Sequence, residues 1–285
     1  MKKLLLIMLA MLASRVCTFA FSLESTKFHC EKDTTEINAL LHDAAATGTT
    51  DPNKLISLFA DKLLGTPYVA HTLEGDKEML YIDIDELDCT TFIENLVALT
   101  LSTMEKQPSW YSFAADLERI RYHDGTLDGY ASRLHYISAW IVENTARGFI
   151  YEVTGSLPHS ENIIKTLNYM SVNRDKYPQL ANDETFAAIK NLESGYNMHM
   201  FPYIHKNNLG KKDLIAELRD GDIIAITTKT DGLDVSHMGI IRFVKGKPHL
   251  LHASSIAKKV IIEKYPLFEM LRSNRNATGI RVLRM

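Results

Sequence analysis

The sequence predicts an α+β protein, with a helical first half followed by a run of short β-strands. Two observations support this fold class. Apolar residues recur near the helical period in the first half, whereas after Gly221 they occur in short segments rich in Ile and Val, separated by Gly, Pro and Asp turns. Because no internal repeat or linker is visible, we expect one elaborated domain over residues 21–285, helical over 50–200 and sheet over 221–285.

Helices are predicted where start and stop signals enclose a helical pattern. Asp51-Pro52 is a start signal and Gly65 a stop signal, which predicts a helix over Asn53–Leu64. Residues 194–204 are expected to be irregular, either as a substrate-binding lid or as an ordinary buried loop. Further helices are expected from Cys89 to before Pro108, over Trp110–Arg121, over Tyr136–Thr145 and near Asn162–Met170.

Strands are predicted towards the end of the chain, where the apolar period changes to two. Turn residues between these segments are typical of an antiparallel sheet. The predicted strands are Asp222–Thr228, His237–Val244, His249–Ala253, Lys259–Glu263 and Gly279–Arg284.

Composition and charge exclude several classes of protein. The chain has 285 residues and a formal net charge of −3, and its Lys and Arg residues are spread along the sequence. This distribution lacks the basic patch of a nucleic-acid-binding protein, so no nucleic-acid partner is expected. A chain of this length buries a large core without disulfide bonds, and its stability therefore does not require its cysteines.

The first twenty residues are typical of a secretory signal peptide. Lys2 and Lys3 precede an uncharged apolar run, and Thr18-Phe19-Ala20 places small residues around a cleavage site after Ala20. The run is shorter than the roughly 20 apolar residues that a spanning helix needs, so no membrane span is expected. The segment carries three basic residues and no acidic one, and cleavage lowers the net charge from −3 to −6. Arg15-Val16 before Cys17 argues against a lipoprotein anchor.

Export leaves two cysteines whose roles must be decided. In an oxidising compartment Cys30 and Cys89 could form one disulfide, or Cys89 could be a free reactive thiol. Asp88 is a strong N-cap residue, which places Cys89 at a helix start where the helix dipole favours a thiolate. The negative charge of Asp88 opposes this effect, unless its carboxylate is occupied in capping the N–H of Thr91. An inert buried cysteine is the alternative interpretation.

Two histidines on neighbouring strands could supply a base for this thiol. If Lys245-Gly246 is a two-residue turn, His252 lies opposite Gly239 and is the diagonal neighbour of His237 on the same face. Diagonal side chains are within reach of each other or of one bridging water. A four-residue loop would keep the same face but separate the histidines further, and a three-residue loop would put them on opposite faces. The alternative interpretation is that each histidine is simply a partly buried strand residue.

These residues resemble the catalytic elements of the NlpC-type papain-like cell-wall hydrolases. Within that superfamily the chain is similar to the N-acetylmuramoyl-L-alanine amidase-like branch, first catalogued as a domain of unknown function. The resemblance extends from about Leu55 to the C-terminus. It is carried by Asp88-Cys89-Thr90-Thr91-Phe92-Ile93-Glu94, Arg133-Leu134-His135-Tyr136, Gly232-Leu233-Asp234-Val235-Ser236-His237 and His252-Ala253-Ser254-Ser255.

The resemblance implies a papain-like fold, with the nucleophile at a helix N-terminus packed on a C-terminal antiparallel sheet and an extra helical subregion. It also implies that Cys89 attacks a carbonyl, that His237 is the general base and then the acid, and that His252 orients His237. The backbone N–H of Cys89 would form part of the oxyanion hole. Tyr68 matches a tyrosine that lines the pocket of the superfamily.

The sequence gives weaker evidence for the substrate-binding residues than for the catalytic ones. Asp88, beside the nucleophile, and Arg133 and Tyr136 are candidate substrate-binding residues, although a polar helix face is the favoured explanation for the last two. The resemblance implies peptidoglycan fragments as substrate. The exported, acidic character fits a periplasmic enzyme, and we expect no cofactor, no metal ligands and a monomer.

Other functions remain open at this point. Thr90-Thr91 after the cysteine, where many superfamily members have Ser-Gly, weakens the alternative of a γ-D-glutamyl D,L-endopeptidase. An inactive wall-binding module and a transglutaminase-like acyl transferase are further alternatives. A zinc amidase would cleave the same bond, but the sequence has no His-Glu-x-x-His pattern.

Overall fold

The computed structural model describes residues 22–285, so the predicted signal peptide lies outside the described residues. Within this range the helices are α1 (Asp33–Ala46), α2 (Pro52–Lys62), α3 (Cys89–Thr103), α4 (Trp110–Arg121), α5 (Ile137–Ala146), α6 (Tyr169–Val172), α7 (Asp183–Ser194), α8 (Lys212–Glu217) and α9 (Leu267–Ser273). The strands are β1 (Thr26–Phe28), β2 (Leu80–Ile82), β3 (Tyr151–Glu152), β4 (Ser160–Lys165), β5 (His199–His205), β6 (Ile223–Thr228), β7 (Val235–Val244), β8 (Lys247–Ser254), β9 (Lys259–Ile262) and β10 (Ala277–Arg284).

An antiparallel sheet is the centre of the fold. Its strands follow the order β4-β5-β10-β6-β7-β8-β9, and the short β3 pairs with the end of β10. The predicted α+β class is confirmed, as are the five predicted strands. The last strand in sequence, β10, lies between β5 and β6, so the middle of the sheet is completed by the end of the chain.

Helices cover both faces of this sheet, and β6 is consequently buried along its whole length. Ala225 packs into the larger hydrophobic cluster, which contains Phe92 of α3. Its neighbour Ile224 points to the other face and packs into a smaller cluster with Leu271 of α9. The strict alternation of side chains along the strand thus joins α3 to one face and the C-terminal helix to the other.

The predicted helices in the first half are confirmed to within a few residues at their ends. Asp51 caps α2 as expected, since its carboxylate accepts from the backbone N–H of Asn53 at 3.0 Å. A parallel pair that the sequence pattern did not indicate precedes the third helix. In it β1 lies beside β2, and the backbone N–H of His29 donates to the carbonyl of Ile82 at 2.9 Å.

The predicted helix near Asn162–Met170 is wrong. Residues 160–165 form β4, and only Tyr169–Val172 is helical. The expected irregular stretch is also partly regular, because β5 runs over His199–His205 and pairs with β4 in antiparallel register. The β-branched pair Ile163-Ile164 favours extended backbone, and the partner strand supplies its hydrogen bonds. In a short apolar segment the sequence pattern alone does not distinguish such a strand from a helix.

Both cysteines of the described chain are free, so the Cys30–Cys89 disulfide alternative is not adopted. Between residues 22 and 285, none of the helices combines the length and the apolar character needed to cross a membrane.

Candidate active site

The start of α3 is fixed by a reciprocal cap that holds Cys89 at the first helical position. Oδ1 of Asp88 accepts from the backbone N–H groups of Thr90 at 2.9 Å and Thr91 at 2.8 Å. In return, Oγ1 of Thr91 accepts from the backbone N–H of Asp88 at 2.8 Å. This capping box satisfies exposed helix donors and sets the direction in which the thiol leaves the helix. The expected cap from Asp88 to Thr91 is confirmed.

The thiol of Cys89 faces the strand that carries the first histidine. Its sulfur lies close enough to the backbone N–H of Met238, the residue that follows His237 in β7, for that group to lower the pKa of the thiol. Cys89 is only half-buried as a residue, yet its thiol is enclosed. Burial, followed by repulsion from Asp88, raises the pKa of the thiol to about 11. These effects outweigh the hydrogen bonds to the sulfur, which lower the pKa, and the resting sulfur is therefore a neutral thiol. The opposition from Asp88 that the sequence suggested is thus stronger than the effect of the helix start.

The two histidines form one hydrogen-bonded pair. β7 and β8 are joined by the predicted two-residue turn at Lys245-Gly246, both with positive φ, and Ile240 pairs with Leu251. In this register His237 and His252 are diagonal neighbours, as the sequence predicts. Nε2 of His237 lies 2.5 Å from Nδ1 of His252, and the two rings meet edge to face.

Burial also sets the charge of the pair. It lowers the pKa of His237 to about 4, against an opposing attraction from Asp88. It lowers the pKa of His252 to about 3, with a further decrease caused by the neighbouring His237. Both rings are consequently neutral near pH 7. A neutral imidazole beside a neutral thiol can accept the thiol proton as the sulfur attacks, which is general-base chemistry.

Tyr68 lies at the same site. The backbone N–H of Val69 donates to the carbonyl of Leu87 at 3.2 Å, which ties this segment to the turn before α3. Burial raises the pKa of the Tyr68 hydroxyl, and the charges of Cys89 and Asp88 raise it further, so its ring stands close to both. The structure thus brings together five of the seven predicted site residues, which are Tyr68, Asp88, Cys89, His237 and His252.

The remaining two predicted residues make buried polar contacts with other parts of the fold. Arg133 is buried, with its guanidinium 3.3 Å from Glu78 and 3.1 Å from Glu74. The hydroxyl of Tyr136 donates to Glu193 at 2.7 Å and accepts from the backbone N–H of Met170 at 2.9 Å. In the described contacts neither side chain reaches Cys89. Their proposed role in binding substrate stays a prediction.

The acidic residue shortly before His237 has a structural role that the sequence did not indicate. Asp234, three residues before His237, is buried and accepts from the backbone N–H of Ser138 at 2.5 Å. Arg281 of β10 donates to Oγ of the same Ser138 at 2.8 Å. These bonds secure the start of α5 against the sheet and fix the loop that leads into β7.

Side chains that could hold a cation lie away from this pair of histidines, where β1 and β2 end. One group joins His29, Asp83 and Glu86, and a second joins Cys30, Asp33 and Asp85. Nδ1 of His29 lies 3.3 Å from Asp83. No site residue predicted from the sequence belongs to either group.

The chain and its fold are similar to those of known proteins. The model of the AmiA-like family, described as N-acetylmuramoyl-L-alanine amidase-like, matches residues 58–280. An N-acetylmuramoyl-L-alanine amidase from Bacteroides uniformis ATCC 8492 has a similar structure, with 46% identity and a TM-score of 0.77, covering 82% of this chain and 98% of that one. No curated protein sequence matches.

Two further solved structures are similar. A candidate xylanase from Bacteroides fragilis has 44% identity and a TM-score of 0.74, over 79% of this chain and 98% of that one. A Legionella pneumophila protein assigned to a domain family of unknown function has 23% identity and a TM-score of 0.67, over 89% of this chain and 94% of that one, and shows the fold alone.

Proposed function

Because the chain belongs to the N-acetylmuramoyl-L-alanine amidase-like family, we propose that it is a cysteine-dependent amidase that hydrolyses the bond between N-acetylmuramic acid and L-alanine in peptidoglycan fragments. The single observation that supports the cysteine mechanism is the placement of Cys89 at a capped helix start, with its sulfur near the backbone N–H of Met238, the residue after His237. The hydrogen bond between His237 and His252 supplies an oriented base.

The proposed reaction follows from the hydrogen bonds of the resting site. Nε2 of His237 is engaged by His252, which leaves Nδ1 to receive the proton of Cys89. The sulfur attacks the lactyl carbonyl, and the backbone N–H of Cys89 contributes to the oxyanion hole. The resulting imidazolium returns its proton to the amine of L-alanine, which departs and leaves a thioester. Water activated by His237 then releases the muramic acid and restores the thiol.

The negative charge of Asp88 affects both the thiol and the base during this reaction. Its carboxylate disfavours a thiolate at Cys89 and favours an imidazolium at His237. It therefore stabilises the positive charge that appears on the base only as the sulfur attacks. Such an interaction is stronger in the transition state than in the resting site, as catalysis requires.

The site belongs, in this proposal, to the papain-like NlpC type, in which a helix-borne cysteine faces a histidine of an antiparallel sheet. The charged start of the sequence and its apolar run support export to the periplasm. A monomer is sufficient for this site, since each proposed catalytic residue comes from one chain.

The decisive experiment is mass spectrometry of disaccharide-tetrapeptide fragments incubated with the protein over residues 21–285. We expect free tetrapeptide and free disaccharide from the wild type and neither from Cys89→Ala. A matched control is Cys30→Ala, which removes the other free thiol and should retain activity. Release of a dipeptide would instead place the cut at the γ-D-glutamyl bond, and binding without any cleavage would support a wall-binding module.

Two additional incubations separate the chemical classes. A thiol alkylating agent should abolish cleavage, whereas a chelating agent should leave it unchanged. The reverse pattern would indicate a metal-dependent amidase and contradict the cysteine mechanism. Xylan serves as the comparison substrate suggested by the Bacteroides fragilis protein, and release of xylose oligomers by the wild type would contradict the amidase assignment.

A further inference from the structure

Nε2 of His252, the ring nitrogen that faces away from His237, is buried without a hydrogen-bond partner. Nδ1 of this ring faces His237 at 2.5 Å, but Nε2 is buried and makes no hydrogen bond. A buried imidazole nitrogen without a partner is costly and requires an explanation. The carboxylate nearest to it is Glu263, whose Oε2 lies 3.7 Å away.

The position of Glu263 follows from the register of three adjacent strands. His252 pairs with Ile261 of β9, so Glu263, two residues further on, is its diagonal neighbour on the same face. His237 is the diagonal neighbour of His252 on the other side. The three side chains therefore form one oblique row across the sheet, from His237 through His252 to Glu263.

The backbone of Glu263 is fixed by β8 on both of its polar groups. Its N–H donates to the carbonyl of Leu250 at 2.7 Å, and its own carbonyl lies 2.8 Å from Nδ1 of His249. Oε1 accepts from the backbone N–H of Lys264 at 2.9 Å, which leaves Oε2 as the oxygen directed to His252. Only a small side-chain rotation separates a distance of 3.7 Å from a hydrogen bond.

This row decides which tautomer the histidine pair adopts. If His252 carries its proton on Nδ1, it donates to Nε2 of His237, and the proton of neutral His237 must sit on Nδ1, where it blocks the base. If His252 carries its proton on Nε2, its Nδ1 accepts from His237, and Nδ1 of His237 is free to receive the thiol proton. An ionised carboxylate can accept hydrogen bonds but cannot donate them. Glu263 therefore favours the second arrangement, in which Nε2 of His252 carries the proton.

We propose that Glu263 is a positioning residue that accepts a hydrogen bond from Nε2 of His252 and thereby holds His237 in the tautomer that can act as a base. This inference deepens the proposed amidase function and rests on it for its catalytic consequence. The tautomer itself is a property of the resting protein and is measurable whether or not the substrate is correct.

The test combines nitrogen NMR of the histidine rings with steady-state kinetics on the disaccharide-tetrapeptide. In the wild type we expect a protonated Nε2 and an unprotonated Nδ1 on His252. Glu263→Ala should shift His252 towards the other tautomer and lower kcat by roughly tenfold, the lower end of what outer partners of oriented imidazoles contribute at metal sites. KM should change little, because the residue does not contact the substrate.

Two further variants make the result specific. Glu263→Gln keeps a carbonyl acceptor and should retain the wild-type tautomer and most of kcat. Glu161→Ala removes an exposed glutamate on β4 and should change neither. A wild-type His252 protonated on Nδ1, or an unchanged tautomer in Glu263→Ala, would overturn the inference. If instead the tautomer shifts as expected but the wild type cleaves nothing, the proposed function fails while the positioning role stands.

Discussion

An ideal Cβ built on Gly239 would lie 2.9 Å from the Cβ of His252 and 2.8 Å from the side chain of Leu250. Gly239 sits in β7 two residues after His237, directly across from the second histidine. The missing side chain leaves the space in which the two imidazoles meet. The contact between the two histidines therefore depends on the absence of a side chain at Gly239 as well as on the register of the strands.

Gly239→Ala should consequently impair both stability and activity. The added methyl group has to displace His252 or Leu250, and overpacking of this kind costs about 1–3 kcal/mol. Chemical denaturation measures the stability loss, and muropeptide cleavage measures the effect on the site. Gly155→Ala is the control, since its Cβ would meet only Pro202 at 3.9 Å. Equal behaviour of the two variants would show that the close approach at Gly239 is not important.

The alkylation rate of Cys89 should rise steadily with pH. A thiol whose pKa is about 11 is almost fully protonated at pH 7, and its thiolate fraction grows about tenfold per pH unit up to that pKa. Iodoacetamide labelling followed by peptide mass spectrometry between pH 6 and 10 checks this slope in Cys30→Ala, which removes the competing thiol. A rate that is flat over this range would indicate a preformed thiolate–imidazolium pair.

Removing the charge of Asp88 should affect thiol reactivity and turnover in opposite directions. Asp88→Asn keeps an N-cap acceptor but removes the repulsion that raises the pKa of Cys89, so alkylation at pH 8 should be faster than in the wild type. Turnover should fall, because the imidazolium of His237 loses its counter-charge. Asp88→Ala should also lose about 1 kcal/mol of stability with the cap. A parallel rise of alkylation and turnover would contradict this assignment.

Removing one partner of the buried ion pair between α3 and α4 should strongly destabilise the fold. Nε of Arg121 lies 2.7 Å from Oε2 of Glu94 on α3, and Nη1 donates to the carbonyl of Tyr81 at 2.7 Å. Arg121→Met leaves the Glu94 carboxylate buried without a partner, which should cost about 3–5 kcal/mol. The double variant Glu94→Gln with Arg121→Met should recover part of that loss.

The pH dependence of Arg121→Met has a defined sign. Burial already raises the pKa of Glu94 in the folded protein, and loss of the arginine raises it further. The folded state then binds the proton more tightly than the unfolded chain, so its stability is greatest at low pH and is lost as pH rises through the folded-state pKa. Urea denaturation at pH 5 and pH 8 should show the larger loss at pH 8, and an equal loss would contradict the explanation.

The arrangement of Cys89, His237 and His252 could largely be predicted from the sequence, because it depends on local rules. The cap before Cys89 and the two-residue turn at Lys245-Gly246 each involve a few neighbouring residues with specific geometry. Once the turn length is known, the diagonal contact between His237 and His252 follows from the period of the strands. These predictions are confirmed by the hydrogen bonds of the structure.

Other features depend on contacts between distant segments and were not predictable in the same way. β4 finds its hydrogen bonds only in β5, more than thirty residues later in the chain. The raised pKa of Cys89 results from enclosure by α3 and β7 together, so the helix start alone suggested the opposite charge state. The register of β9 places Glu263 beside His252, but deriving this contact requires the registers of both the β7–β8 and the β8–β9 pairs.

The central place of β10 has a consequence for the timing of synthesis. Cys89 leaves the ribosome long before His237 and His252, and the sheet that supports them is still open until Ala277–Arg284 enters between β5 and β6. A growing chain therefore carries a thiol that has no base to assist it. A chain that ended before this strand would still contain Cys89, His237 and His252, but β5 and β6 would lack the strand that joins them, and the sheet that aligns these side chains would be incomplete.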